Sequence, residues 1–173
     1  MVNKLYIGRI KKMADGTSDS FAKITGQVQS WIKGESRKQG KEDWIIIDDY
    51  TYGANQPGSF GTNMGGSSGK TTFTDIPFSM PVSKASPLLF KAMCTGEHFS
   101  EVILTKRKST GTNPDDYEVV TLTDAILTSY YKHGEMYSGQ LNFKKIQITN
   151  KPQNDDGTLG SAVDMEFDQS LGV

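Results

Sequence analysis

The sequence predicts a mainly β fold, a two-sheet β-barrel or sandwich of about eight strands with one short central α-helix. Three observations predict it. The chain holds 18 glycines and 6 prolines in 173 residues, so turns are frequent. β-Branched and aromatic residues fall in short runs between turn-forming clusters, as in "WIIIDDYTYG" and "YEVVTLTDAIL". Only one segment, "VSKASPLLFKAMCTGEHF", carries both a helix start and a helix stop.

Taken in order, residues 1–22 read as an N-terminal extension, in which "LYIGRI" has the make-up of a short strand and "MADGTSDS" of a turn. Residues 23–173 form a single domain. "ITGQVQSWI" alternates as a strand, and "KGESRKQGKED" is a charged loop. Trp44–Tyr52 is the strongest strand. Its centre, Ile45-Ile46-Ile47, is apolar on both faces, which predicts burial or an oligomer contact on the second face. A Gly/Ser/Asn loop follows, then a strand near Thr71–Phe78. Ser86 is the expected N-cap, Pro87 suits the first helical position, and Gly96 supplies the stop. The apolar run Leu88–Cys94 predicts a helix covered by sheets, with Cys94 a buried thiol. Strands are expected at "FSEVILTKRK", "YEVVTLTDAIL", "QLNFKKIQI" and "AVDMEFD". "SYYKHGEMYSG" reads as irregular, and the parity change between Phe143 and Ile146 as a bulge.

Composition removes several function classes. One cysteine forbids an intrachain disulfide. A net charge of −1 argues against nucleic-acid binding. No apolar stretch reaches the length of a membrane span or of a signal-peptide core, so neither membrane insertion nor ordinary signal-directed export is expected. The charge is uneven, however. Residues 1–41 hold nine Lys/Arg against three Asp/Glu, whereas residues 152–173 hold five Asp/Glu and no Lys/Arg. Such ends suit head-to-tail assembly.

Motifs for catalysis are missing. "NMGGSSGKTT" looks like a phosphate-binding loop, but Gly69-Lys70-Thr71 needs a glycine at position 64, where Met64 stands. The residues that follow read as a strand and include Pro77, whereas that loop opens a helix. His98 and His133 lack Cys or His neighbours at metal spacing. Of the adjacent pairs Asp48-Asp49 and Asp115-Asp116, the first follows a strand core and points to opposite faces, so it cannot act together on one substrate; the second ends the turn "STGTNPDD", and surface positions are expected. Trp44, Tyr50 and Tyr52 share a parity, which suits a sugar-stacking platform, a core or a subunit contact. "KRK" at 106–108 reads as a solvated strand end. No enzyme, metal or cofactor is expected.

The order of motifs resembles that of a known family. "IKGES" at Ile32–Ser36 precedes a charged gap and an aromatic-bearing strand ending in Gly53. The Gly-rich loop then leads into "FTDIPFSMPVSKASPLLFKAMCTGEHF", followed by "VILTKRK" and "LNFKKIQI…PQNDDG". Over residues 25–173 this series resembles the haemolysin-coregulated protein (Hcp) family, the tube subunit of bacterial type VI secretion systems. Two departures stand out: the N-terminal extension, and the absence of the histidine often found after "KGES", where "RKQGKED" stands.

The resemblance implies a fold related to phage tail tubes and an assembly of homohexameric rings that stack into a tube. The tube is propelled by a sheath, tipped by a spike protein (VgrG), and delivers effector proteins that some rings hold in the lumen. It implies a bacterial cytoplasmic protein that is later secreted. The family's ring-stacking loop maps here to Asn55, Gln56, Gly58, Phe60, Asn63, Met64, Gly65, Gly66 and Lys70. Trp44, Ile46, Tyr50 and Tyr52 are the candidate subunit contacts. The alternatives are a phage-like tail tube protein, or a carbohydrate-binding β-domain built on the Trp/Tyr strand.

Overall fold

A computed structural model describes residues 20–27, 31–61, 64–68, 70–108, 115–155 and 158–172. "LYIGRI", Val28, Asn63 and Gly69 lie outside them. The chain orders as β1 (Ser20–Gly26), β2 (Ile45–Ile47), β3 (Asp49–Tyr50), β4 (Ala54–Asn55), β5 (Gly58–Gly61), β6 (Met64–Ser68), β7 (Thr72–Phe73), β8 (Ile76–Pro81), α1 (Ser86–Thr95), β9 (His98–Lys108), β10 (Asp115–His133), β11 (Met136–Asn150) and β12 (Val163–Asp168).

The main sheet runs β2-β1-β9-β10-β11-β8-β3. Its two ends, β2 and β3, are consecutive in the chain. The segment Ile45–Tyr50 therefore pairs with β1 through Ile45, Ile46 and Ile47 and with β8 through Asp49 and Tyr50. It closes the sheet into a barrel, and Asp48 N–H donates to Ser79 O at 2.7 Å where it crosses over. The strong strand read from the sequence is thus two short strands with different partners. Closure explains its composition, because Ile45 and Ile47 are fully buried while Ile46 points the other way and is half-buried. β1 straddles the expected boundary at residue 22, with Phe21 and Ala22 already in the core.

The parity change at Phe143/Ile146 is real, but it is not a bulge of β11 against β10. Thr123 faces Lys145 and Ala125 faces Phe143, so the register is unbroken. The same switch occurs on β9, between buried Phe99 and Val102, and on β10, between buried Leu122 and Ala125. A crease therefore crosses three adjacent strands, and Asp124 at its centre has a left-handed φ of 52°. Register shifts occur instead around Tyr117 and Thr128.

"SYYKHGEMYSG" is regular after all. β10 continues through His133, turns at Gly134 (φ 60°) and Glu135, and returns as β11. Its mixed polarity follows from its place at a hairpin tip, where Lys132 and His133 are exposed.

α1 does not plug the barrel. It packs one face on β10 and buries Ser86, Leu89 and Ala92. Leu88 and Phe90 are 38% and 49% exposed, and Cys94 is exposed. Both expectations of burial fail because the barrel interior is already filled by strand residues such as Leu104, Leu122, Leu141 and Ile146. Ala85, not Ser86, holds the N-cap position. The Ser86 hydroxyl reaches back to accept from Ser83 N–H at 3.1 Å, while Ser83 Oγ accepts from Ala85 N–H at 3.1 Å. Gly96 closes the helix in the left-handed conformation as expected.

Candidate assembly surfaces

Two strand pairs stand apart from the main sheet. Among the described residues β4 pairs with β7 alone and β5 with β6 alone, in nested antiparallel order. The Gly/Ser/Asn loop is therefore a β-hairpin arm, running out from Gly53 and back to Thr74. Of the residues expected in it, Asn55 lies in β4, Gly58 and Phe60 in β5, and Met64, Gly65 and Gly66 in β6. Gln56 joins β4 to β5, and exposed Lys70 precedes β7. A strand, not a helix, follows Lys70, so the strand-loop-helix context of a phosphate loop is absent.

The root of the arm is tied to the barrel. Thr74 N–H and Oγ1 both donate to Gly53 O, each at 3.0 Å. One residue before Gly53, Tyr52 Oη donates to Glu118 Oε2 at 3.3 Å, and Tyr50 Oη donates to Glu118 Oε1 at 2.8 Å. Lys106 stands over the Tyr50 ring at 4.6 Å and pairs with Asp49 at 3.0 Å. That ammonium holds the Asp49 carboxyl below the usual carboxylate range. Burial, then the Glu118 carboxylate, pushes the Tyr50 phenol far above its ordinary value.

These positions dissolve the Trp/Tyr platform. Tyr50 is 2% exposed and belongs to the core, Tyr52 is exposed, and Trp44 lies half-buried under Lys41 Nζ, 3.8 Å from its ring centroid. Parity breaks at the Asp48 crossover, so the three rings share no surface for a sugar. Of the four contact candidates, only Trp44, Ile46 and Tyr52 retain area for a neighbour.

Nor are Lys106 and Arg107 of "KRK" a solvated end. Arg107 Nε reaches Asp116 Oδ1 at 3.1 Å, and Arg107 Nη1 donates to Gln39 O at 2.9 Å. Lys41, 5% exposed, reaches Asp116 Oδ2 at 2.7 Å. One carboxylate thus holds two cations and fastens the loop before β2 to β9 and β10. Asp115 pairs outward with Lys151 at 3.1 Å.

The "KGES" motif, noticed only for its order in the chain, has a local task. Gly34 lies against the backbone of Trp44 and Ile45, where a Cβ has no room. Glu35 accepts from Ser83 Oγ at 2.7 Å and from Lys84 N–H. Ser36 N–H donates to Trp44 O at 3.1 Å. The motif joins the closing strand to the helix entry, a role that no spacing rule flags.

His98 Nδ1 lies 2.8 Å from Asp124 Oδ1, exposed at the crease, and His133 is at the hairpin tip. Among the described residues no group of His, Cys, Asp and Glu is arranged to hold a metal, and no helix is long and apolar enough to cross a membrane.

Comparison with known proteins agrees with this geometry. The family described as "Type VI secretion system effector, Hcp" matches over residues 21–149. Protein hcp1 of Pseudomonas aeruginosa is 30% identical over 94 residues, 51% of this chain, and the match spans 58% of that protein's length. The structure of a type six secretion system protein superposes with a TM-score of 0.78 at 17% identity, over 88% of this chain and 98% of that one. A type VI secretion system effector from Yersinia pestis gives 0.67 at 23%, over 87% and 99%. Hcp1 from the E. coli EAEC 042 pathovar gives 0.70 at 17%, over 87% and 98%. The structures show a shared fold.

Proposed function

The chain belongs to the Hcp family of type VI secretion systems, and from that premise we propose that it is a structural, non-enzymatic subunit of the secretion tube. In this reading six copies close into a ring and rings stack into a tube. The tube carries effector proteins through its lumen behind a VgrG spike, driven by the sheath. The protein waits in the bacterial cytoplasm and leaves with the tube.

The observation that carries the reading is the arm. Its strands pair with each other and not with the main sheet, which leaves a two-stranded projection on a closed barrel. An isolated two-stranded ribbon is marginal in water and gains from lying on a second surface. Its glycines and serines allow close backbone approach to a neighbouring ring. Asn55, Gln56, Gly58, Phe60, Asn63, Met64, Gly65, Gly66 and Lys70 are the stacking residues in this reading, and Trp44, Ile46 and Tyr52 contact the neighbour within a ring.

Light scattering after size exclusion tests the ring: a particle near six times 19.0 kDa is expected. A clean monomer at high concentration overturns it. Replacing residues 56–69 by a short turn tests the arm. Rings are expected to persist while stacked tubes vanish from electron micrographs, and tubes that survive remove the arm from stacking.

A further inference from the structure

Among the described residues, β12 is left uncovered on one edge and on part of one face. It pairs with β11 through Lys145–Asn150, and among the described residues no strand pairs with its outer edge. Ile148 and Phe167 carry the core onto this corner, where Phe167 meets Phe73 with ring centroids 5.2 Å apart. Beyond that contact, on the same face as Phe167, Met165 and Val163 are 44% and 68% exposed. Asp164 and Glu166 alternate with them, and Glu166 pairs with Lys145 at 2.7 Å.

The registers place the start of β1 in line with this corner. Ser20 faces Lys106, Lys106 faces Glu118, Glu118 faces Asn150, and Asn150 faces Val163. Four inter-strand steps of about 4.8 Å put Ser20 roughly 19 Å from Val163 along the sheet. The residues between Ile10 and Ser20 reach roughly 30 Å when extended. The segment they tether reads "KLYIGRIKK" from Lys4 to Lys12. It holds Leu5, Tyr6, Ile7 and Ile10, together with four cations and no acid. That composition complements the edge of β12, which presents Val163 and Met165 on one face and Asp164 and Glu166 on the other.

We propose that residues 4–12 lie along the outer edge of β12 of their own chain, with Leu5 and Ile7 beside Val163 and Met165 on one face and Lys4 near the β12 carboxylates on the other. The extension is then a built-in cover for the free edge that a closed barrel cannot pair, and edges of that kind otherwise invite other chains. The proposal concerns a contact within one chain, so it stands or falls apart from ring and tube formation.

The test is cross-linking in the full chain. Ile7→Cys with Met165→Cys is placed in a Cys94→Ser background, with Ile7→Cys and Ser100→Cys as the control pair, since exposed Ser100 lies at the far end of the sheet. Under mild oxidation the 7–165 pair is expected to link at least about tenfold faster than the control, the advantage that burying one such side chain supplies. The product should run as a single chain on a denaturing gel. A rate equal to the control overturns the proposal, as do links found only between chains, which would assign the edge to a second copy. Hydrogen exchange needs no cysteine variant. Deleting residues 1–12 is expected to speed exchange at 163–168 by about tenfold, and unchanged exchange there overturns the proposal.

Discussion

Tyr50 and Glu118, 68 residues apart, meet at 2.8 Å, with the phenol donating to the carboxylate from the end of the closing segment. The same carboxylate takes the hydroxyl of Tyr52, so a single acid on β10 holds both the barrel closure and the root of the arm. A hydrogen bond to a charged group contributes about 1.5–3 kcal/mol. Because Glu118 is half-exposed, Tyr50→Phe should lower stability to urea by an amount near the bottom of that range. Tyr52→Phe should cost less and instead raise hydrogen exchange at residues 53–55. Equal and negligible effects of the two would deny Glu118 this role.

Alkaline pH should weaken the fold through its tyrosines. Burial pushes Tyr130 up to about 12, and burial followed by Glu118 pushes Tyr50 higher still. Unfolded tyrosines ionise near 10, so above that pH the unfolded chain gives up protons that the native chain keeps. Stability present below about pH 10 is therefore lost as pH rises further. Absorbance titration should show two of the 7 tyrosines ionising only with unfolding; a full titration of all seven in the folded protein would contradict the buried placement.

Asp116 binds two cations, Lys41 and Arg107, in a nearly closed site. Asp116→Asn leaves both without their anion and is expected to cost about 3–5 kcal/mol in denaturant unfolding. Lys41→Met removes the more buried cation and keeps the Arg107 pair, so it should be close to neutral. Burial lowers the Lys41 pKa despite Asp116. Between that lowered value and the ordinary lysine value the unfolded chain binds the extra proton, so this group's contribution rises with pH there and should vanish in Lys41→Met. Similar losses for both variants would mean that the triad is not organised around its acid.

Gly34 and Gly139 separate rigid from yielding contacts. A Cβ at Gly34 strikes the backbone of Trp44 and Ile45, whereas one at Gly139 comes within 2.8 Å of the Phe78 ring and 2.9 Å of the Tyr130 ring. Backbone in the closing segment has nowhere to move, so Gly34→Ala should cost about 3 kcal/mol, the upper end for overpacking, and Gly139→Ala nearer 1 kcal/mol. Thermal melts of the two variants rank them, and the reverse order would place the tighter constraint on the aromatic side.

Cys94 is on the open face of α1. A thiol-reactive dye should label the folded protein with one equivalent at a rate close to that of the unfolded chain. In the same helix, Leu89→Ala should cost about 2–5 kcal/mol because Leu89 is fully buried. Half-exposed Phe90→Ala should cost less. Slow labelling that follows global unfolding would restore the covered helix expected from composition.

Features set by neighbouring residues were legible in the sequence. Pro87 and Gly96 mark the ends of α1 because proline lacks an N–H and glycine accepts positive φ. Strand alternation identified β9, the first part of β10, β11 and β12, and the order of motifs from "IKGES" to "PQNDDG" pointed to the family that the comparisons support. Which of those patterns meant interior and which meant surface depended on partners far along the chain. The apolar run of α1 is compatible with burial on every side, and only the already filled barrel leaves Leu88, Phe90 and Cys94 outside. Ser129–His133 carries too mixed a pattern to predict a strand, yet pairing with Met136–Gln140 imposes one. Trp44, Tyr50 and Tyr52 share a parity in the sequence. The crossover at Asp48, where the segment leaves β1 for β8, sends Tyr50 into the core and Tyr52 to the root of the arm. Local conformation follows from short-range sterics that adjacent residues encode; burial and pairing are shared between distant segments, so they were decided only when the barrel closed.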